Sequence, residues 1–557
     1  MDFNSLNMSD NRKNLYNQLF IALGAIVLFV PFLGNVHLFD WDEINFAESA
    51  REMIVSGDYL NVQINFVPFW EKPPLFIWLQ VLSMKLFGIN EFAARFPNAI
   101  VGIATLLVLY NIGKRTRNMK FGLIWAGVYA ASILPHFYFK SGIIDPLFNL
   151  FIFLGVYYFI LFSDKSARGD TLKNIALSAT FIGLGILTKG PVAFLIFFLT
   201  AVVYMVISSS YKKFIQTKVV ITYAVVVAFV GGFWFILQML SGNFNIIVDF
   251  FEYQIYLFSH KGAGHGGFLL YHFVILFIGV FPASVFALKS FRKMKEDDES
   301  YAHFKLWMVI LFWVVLILFT IVSTKIVHYS SMCYIPLTFL AAYIIDKILN
   351  KKQTFSLWMK IVAVFLSVVL GSAIVLLQLI EKYKERIISS GMIKDNFAVG
   401  NLQADVHWTG FEFLVGIILI GGVIFSILFF KNVKKQILGI FISSLLFTSL
   451  SMIVIVPLVE QYSQNAAVSF FQKISKEDCY VNTYGYKSYS KYYYFDKQIP
   501  ENKKSYDLEW LLTGNIDKPA YIVCKNTKAK EFEKKYTTFA KIREQNGFVF
   551  FKRDIKK

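Results

Sequence analysis

Apolar runs long enough to cross a bilayer recur along the chain at 16–36, 93–113, 120–137, 142–162, 173–188, 190–208, 218–240, 268–289, 305–323, 330–348, 356–380, 411–430 and 435–457. A helix needs roughly 20 apolar residues to cross about 30 Å of hydrocarbon. The pattern therefore predicts about thirteen transmembrane helices. Every second polar connection is basic: Lys114, Arg115, Arg117 and Lys120; Lys165, Arg168 and Lys173; Lys212, Lys213 and Lys218; Lys289, Arg292, Lys293, Lys295 and Lys305; Lys347, Lys351 and Lys352; Lys431, Lys434 and Lys435. Together with Arg12 and Lys13 these all fall on one side, which the positive-inside rule makes cytoplasmic. A single miscounted span would break that agreement.

The alternate, outer connections are of another kind. The first, 37–91, is long and rich in carboxylates and aromatics; those near 241–267 and 381–410 are also long, a length that in membrane proteins more often carries function. After Pro457 the hydropathy drops. Strand-like runs at Tyr521–Cys524 and Phe548–Phe551 alternate with a Lys/Glu-rich helical stretch at Lys528–Lys535. The expected organisation is a membrane bundle over 1–457, including the first outer loop 37–91, followed by a small α/β soluble domain over 458–557 on the outer side. The first apolar run lacks a small-residue cleavage pattern and is expected to stay as a helix.

Composition sharpens this picture at three points. The chain is 56% hydrophobic and contains 60 Phe, more apolar surface than a soluble fold covers, so lipid is its main solvent. Its formal net charge of +18 is spread over short loops and the tail, which argues for topology and against a nucleic-acid face. Of Cys333, Cys479 and Cys524, only the last two are placed to pair, and three scattered cysteines make no metal cluster.

Chemistry-bearing residues gather on the outer side. In Asp42-Glu43-Ile44-Asn45-Phe46-Ala47-Glu48, continuing to Arg51, Glu52 and Ile54, the apolar positions recur at helical spacing, which predicts an amphipathic helix lying at the interface. Asp42 and Glu43 sit in its first turn, where the helix dipole favours ionised carboxylates. Next, Phe69-Trp70-Glu71-Lys72-Pro73-Pro74 fixes a cation near headgroup level, suited to a lipid phosphate. Asp145, Lys189, Lys325, His328, Tyr329, His260 and His265 fall on the same outer side. Taken singly, Asp42 and Glu43 are equally an acidic helix start, Lys72 a snorkelling lysine beside Glu71, and the others interfacial anchors. Acids and cations sharing one face instead describe a general base opposite a phosphate leaving group.

The stretch Asp42-Glu43, Ala47-Glu48, Arg51-Glu52-Met53, Ser56-Gly57-Asp58, Phe69-Trp70-Glu71-Lys72-Pro73-Pro74-Leu75, Leu86-Phe87-Gly88 and Glu91-Phe92-Ala93-Ala94-Arg95 resembles the first periplasmic loop of the aminoarabinose transferases and their protein O-mannosyltransferase relatives. The segments Leu187–Pro191 and Lys325–Tyr329 extend the resemblance over roughly the first 340 residues. It implies a GT-C membrane glycosyltransferase using a polyprenyl-phosphate sugar, without nucleic acid. Asp42 would be the base, with Glu43 beside it and Asp145 a second carboxylate near the sugar. Lys72, Lys189, Lys325, Tyr329 and Arg51 would surround the donor phosphate, and Glu71 with His265 would be where a divalent metal binds, if any does. The family often carries Arg three residues after the leading Asp; this chain has Asn45, so Lys189, Lys325 or Arg51 would have to replace that contact.

The expected function is thus inverting transfer of a hexosyl or pentosyl group to a lipid A-like, glycan or protein acceptor on the outer face of the plasma membrane. The competing class is a transporter or flippase of lipid-linked sugars. That class calls for a midplane site reachable from both sides, which a long outer loop with a one-sided cluster does not describe.

Overall fold

The computed structural model describes residues 3–163, 171–209, 216–259, 267–292 and 299–555; His260 and His265 lie outside the described residues. A helix or a bent pair of helices stands at each of the expected spans. Among the described residues, seven helices are long and apolar enough to cross a bilayer alone, and two bent pairs, 217–240 (58°) and 271–290 (116°), bring the number to as many as nine. The helix Phe3–Phe29 is long but polar in its N-terminal half; Met119–Ala130 turns into Ile133–Tyr138, and Val192–Ser208 and Phe413–Phe429 are 17 residues each.

The helix Leu357–Lys382 leaves Leu357, Ile361, Phe365 and Leu376 bare of protein, an apolar stripe suited to acyl chains. In lipid no hydrophobic force draws helices together, so adhesion depends on close shape fit. Gly371 and Gly416 supply it here. A Cβ on Gly371 would stand 2.6 Å from the Gly416 carbonyl oxygen, and one on Gly416 would collide with the Gly371 carbonyl. This chain is a multi-pass membrane protein.

The first outer loop folds into a helix, a hairpin and a second helix. Asp42–Ser56 ends at Gly57, whose φ of 73° lets its amide bond back to the Met53 carbonyl at 3.1 Å. Strands β1 (Gln63–Ile64) and β2 (Val67–Pro68) pair across Asn65 and Phe66, both at positive φ. The amides of those two turn residues donate to the Glu52 carboxylate at 2.5 and 2.7 Å. Pro73 and Pro74 then start the helix Leu75–Phe87.

The C-terminal region forms a sheet of β3 (Tyr480–Tyr484), β4 (Ala520–Lys525), β5 (Ala540–Gln545) and β6 (Phe548–Arg553), in the order β3-β4-β6-β5. Strands β3 and β4 are parallel and the other pairs antiparallel. The near-continuous apolar runs of β4 and β6 reflect cover on both faces. Phe550 packs on Phe470 with centroids 4.4 Å apart, and Phe551 packs on Phe532 of the helix Asn526–Lys535 at 4.7 Å. Cys479 and Cys524 do not pair. Cys524 stands opposite Tyr484, at the far end of β3 from Cys479.

The expectation of an interfacial amphipathic helix over residues 42–54 is corrected. Every residue from Glu43 to Met53 is buried, polar positions included. The C-terminal region covers the polar side: Arg51 donates to Glu48 through two bonds of 2.8 Å, to Asp496 at 3.1 Å and to the Lys497 carbonyl at 2.7 Å. Lys497 in turn donates to Asn65 at 2.5 Å.

The other side of this helix is latched to the bundle. Arg95 grips Glu43 through two bonds of 2.8 and 2.9 Å and spends its other N–H groups on the carbonyls of Leu33, Val36 and His37. Removing the charge from one partner of such a buried pair typically costs about 3–5 kcal/mol. Glu43→Gln is therefore expected to lower the thermal unfolding midpoint of the purified chain; an unchanged midpoint would show that the pair contributes nothing.

Candidate functional site

Helix ends meet beneath the first outer loop. Asp42 begins Asp42–Ser56, Asp145 begins Asp145–Ser163, Lys189 closes Thr171–Lys189, and Glu71 and Lys72 lie just ahead of Leu75–Phe87. Two acids at helix starts and a lysine at a helix end suit the dipoles there. A short 3-10 turn, Val327–Cys333, brings His328 and Tyr329 to the same place.

The Lys189 ammonium binds the Asp145 carboxylate at 2.6 Å, with both side chains largely buried. It also lies 5.5 Å from the Phe148 ring centroid and 5.6 Å from that of Tyr329. His328 Nε2 stands 3.5 Å from Asp42 Oδ2. Burial pulls the Lys72 ammonium below the ordinary lysine range; Glu71 opposes this, Lys189 adds to it, and Asp42 and Asp145 oppose it. Asp42, Glu71, Lys72, Asp145, Lys189, His328 and Tyr329 therefore share one field.

Accessibility separates the two aspartates. The Asp42 side chain is 44% exposed and that of Asp145 only 4%. Asp42 is open to solvent, whereas Asp145 is bound to Lys189.

Three expected site residues are used otherwise. Glu43 accepts from Arg95, from the Phe39 amide at 2.9 Å and from the Gly142 amide at 2.5 Å, so both its oxygens are engaged. It holds the turn that leads into Asp145, a turn Asn98 also grips through the carbonyls of Ser141 and Ile143 at 2.7 and 2.6 Å. Arg51 is taken up by Glu48, Asp496 and Lys497. Lys325 donates to the carbonyls of Phe319, Thr320 and Val322 at 3.1, 2.6 and 2.7 Å, satisfying the end of the helix Glu299–Ile321.

No group of three or more His, Cys, Asp or Glu side chains that could hold a metal occurs among the described residues. Glu71 has Lys72 and Tyr253 for neighbours, and His265 lies outside the described residues.

Tyr253 and Tyr489 also reach the cluster, though their sequence neighbourhoods did not mark them individually. Burial raises both phenols, and Glu71 is the largest charge acting on each. Tyr489 belongs to the run of alternating Tyr, Lys and Ser from 484 to 494, a composition that is its one visible signal.

A family model described as dolichyl-phosphate-mannose-protein mannosyltransferase matches residues 71–234. The undecaprenyl phosphate-alpha-4-amino-4-deoxy-L-arabinose arabinosyl transferase 1 of Proteus mirabilis is 28% identical over 62% of this chain and 61% of its own length. A like-named transferase of Wigglesworthia glossinidia brevipalpis is 24% identical over 69% of this chain and 68% of its own. The match thus spans about three fifths of the Proteus relative. The crystal structure of ArnT from Cupriavidus metallidurans bound to undecaprenyl phosphate superposes with a TM-score of 0.74 at 15% identity, covering 96% of this chain and 97% of that one, which shows a shared fold. The chain is thus similar in sequence to membrane glycosyltransferases named for aminoarabinose and mannose transfer, and it shares the fold of the ArnT structure.

Proposed function

We propose that this protein transfers a sugar from a polyprenyl-phosphate donor to an acceptor on the outer face of the plasma membrane, with the N-terminus cytoplasmic and the C-terminal region outside. The observation that carries this reading is the convergence of Lys72 and Lys189 on the same cluster as the exposed carboxylate of Asp42. The relatives named for undecaprenyl-phosphate aminoarabinose transfer support the donor class.

In this reading the donor phosphate lies against Lys72 and Lys189, with the Tyr329 phenol beside it. The acceptor oxygen approaches the anomeric carbon from the Asp42 side. Asp42 takes the acceptor proton as the new C–O bond forms; the bond from the anomeric carbon to the phosphate oxygen breaks, and its electron pair leaves with the polyprenyl phosphate. Attack opposite the leaving group inverts the anomeric centre. The leaving phosphate gains one negative charge in this step, so the lysines stabilise the transition state more than the bound donor. His328, 3.5 Å from Asp42, orients the base. Asp145 holds Lys189 in place. The acceptor class is a lipid A-like headgroup, another glycan or a protein hydroxyl.

Asp42→Asn is expected to lower transfer in isolated membranes by about 10²–10⁴-fold at unchanged protein abundance; retained transfer would reject the base. A second test uses pH. Because the Lys72 ammonium is held below the usual lysine range, its charge is lost at a lower pH than that of an ordinary lysine as pH rises. Donor kcat/KM is expected to fall on the alkaline side below about pH 10.4, and Lys72→Arg to move that limb upward. A limb unmoved by Lys72→Arg would assign it to another group.

A further inference from the structure

A second cluster, built from the C-terminal region, borders the first. The Asp40 carboxylate accepts from the Ser488 hydroxyl and from the Tyr489 amide, the latter at 3.2 Å. Gln464 donates to the Leu38 carbonyl at 2.7 Å and accepts from the Asp40 amide at 3.4 Å. Leu38 in turn donates its amide to the Tyr494 phenol at 2.6 Å. These bonds fasten Gln464 and residues 488–494 to the segment 38–40 just before Trp41 and Asp42.

The fastening brings three side chains together. The Lys487 ammonium lies 5.0 Å from the Trp41 ring centroid and 5.1 Å from that of Tyr489. Trp41 and Tyr489 meet edge to face at 6.2 Å, and Phe69 meets Tyr489 in the same way at 6.2 Å. Tyr489 is buried and Lys487 exposed. Trp41 is 40% exposed. An indole left open to water, with an ammonium at its face, stands one residue from a carboxylate that is itself 44% exposed. Such a surface suits a ligand with one apolar face and an anionic edge. A sugar ring has that form: one side presents C–H groups that pack on an aromatic face, and a phosphate or carboxylate substituent completes it.

We propose that Trp41, Lys487 and Tyr489 form the acceptor wall of the site, the indole carrying the C–H face of an acceptor sugar and Lys487 taking an anionic group on it, so that the acceptor oxygen is presented to Asp42. The proposal rests on the glycosyl-transfer reading and gives the C-terminal region its role: acceptor recognition. Tyr489 meets the indole edge to face, and its contact with Phe69 links the wall to the segment that carries Glu71 and Lys72.

The test measures binding, so that it stands apart from turnover. The full-length Asp42→Asn chain in lipid nanodiscs is titrated with an acylated glucosamine disaccharide carrying phosphates, with the same lipid lacking phosphates, and with the soluble phosphorylated disaccharide. The phosphorylated lipid is expected to bind at least tenfold more tightly than its phosphate-free counterpart. Lys487→Gln, an exposed substitution that leaves the fold intact, is expected to erase that difference, and Trp41→Leu to weaken both lipids about tenfold. Undecaprenyl phosphate binding is expected to stay unchanged in both variants. Binding of the soluble disaccharide equal to that of the lipid identifies the sugar phosphate itself as the ligand; binding of the lipid alone identifies a membrane-anchored acceptor; either supports the wall. Equal affinity with and without phosphates, or Lys487→Gln and Trp41→Leu that bind every probe like their parent, overturns it. That result would leave the reaction untouched, because the reaction is tested by the loss of transfer in Asp42→Asn.

Discussion

The Arg95 guanidinium, buried near the start of a membrane helix, imposes the constraint on which the outer layer depends. All of its N–H groups must find acceptors in a place where water cannot serve. Glu43 and three backbone carbonyls supply them. Because Glu43 also receives the Gly142 amide, one carboxylate joins the first outer loop, the helix Glu91–Thr116 and the turn before Asp145. Asp42, its neighbour in sequence, is thereby set at a fixed distance from Asp145 and Lys189. The residue that looked like half of a catalytic pair is the one that places the other half.

The same logic explains how far the sequence could be read. Spans were legible because their signal is local: roughly 20 apolar residues and alternating basic loops need no knowledge of tertiary contacts. Asp42, Lys72, Asp145 and Lys189 were legible because charge near membrane level is costly and stands out in an apolar chain. What remained hidden was who partners whom. Arg51 and Lys325 looked like free cations, but Arg51 is consumed by Asp496 and Lys497, more than 440 positions away, and Lys325 by carbonyls of the helix just before it. The helix Asp42–Ser56 read as amphipathic because half its surface is polar; its burial on all sides follows from a distant region that no periodicity announces. The expected spans at 120–137, 218–240 and 268–289 contain breaks that hydropathy averages over.

The polar face of the outer loop and the Tyr/Lys-rich segment 484–497 are complementary surfaces. Glu48, Glu52 and Asp40 lie on one side; Lys491 and Lys497 lie on the other. Burial and the nearby Glu48 push the Glu52 carboxyl up to about 9, while burial and neighbouring cations draw Lys491 down to about 7. A layer of partly neutralised groups is the expected outcome where desolvation outweighs pairing. That layer joins the C-terminal region to the loop bearing Asp42, which brings Tyr489 into the field of Glu71 and Asp42.

The central claim is that Lys72 and Lys189, from separate segments, serve one phosphate. Binding of undecaprenyl phosphate to the purified protein in nanodiscs, compared among the parent, Lys72→Ala, Lys189→Ala and the double variant, tests it most directly. Each single change should weaken binding at least tenfold, and the double variant should lose much less than the product of the two, because neither lysine can hold the phosphate well without the other. Independent effects that multiply, or single variants that bind like the parent, would contradict a shared site.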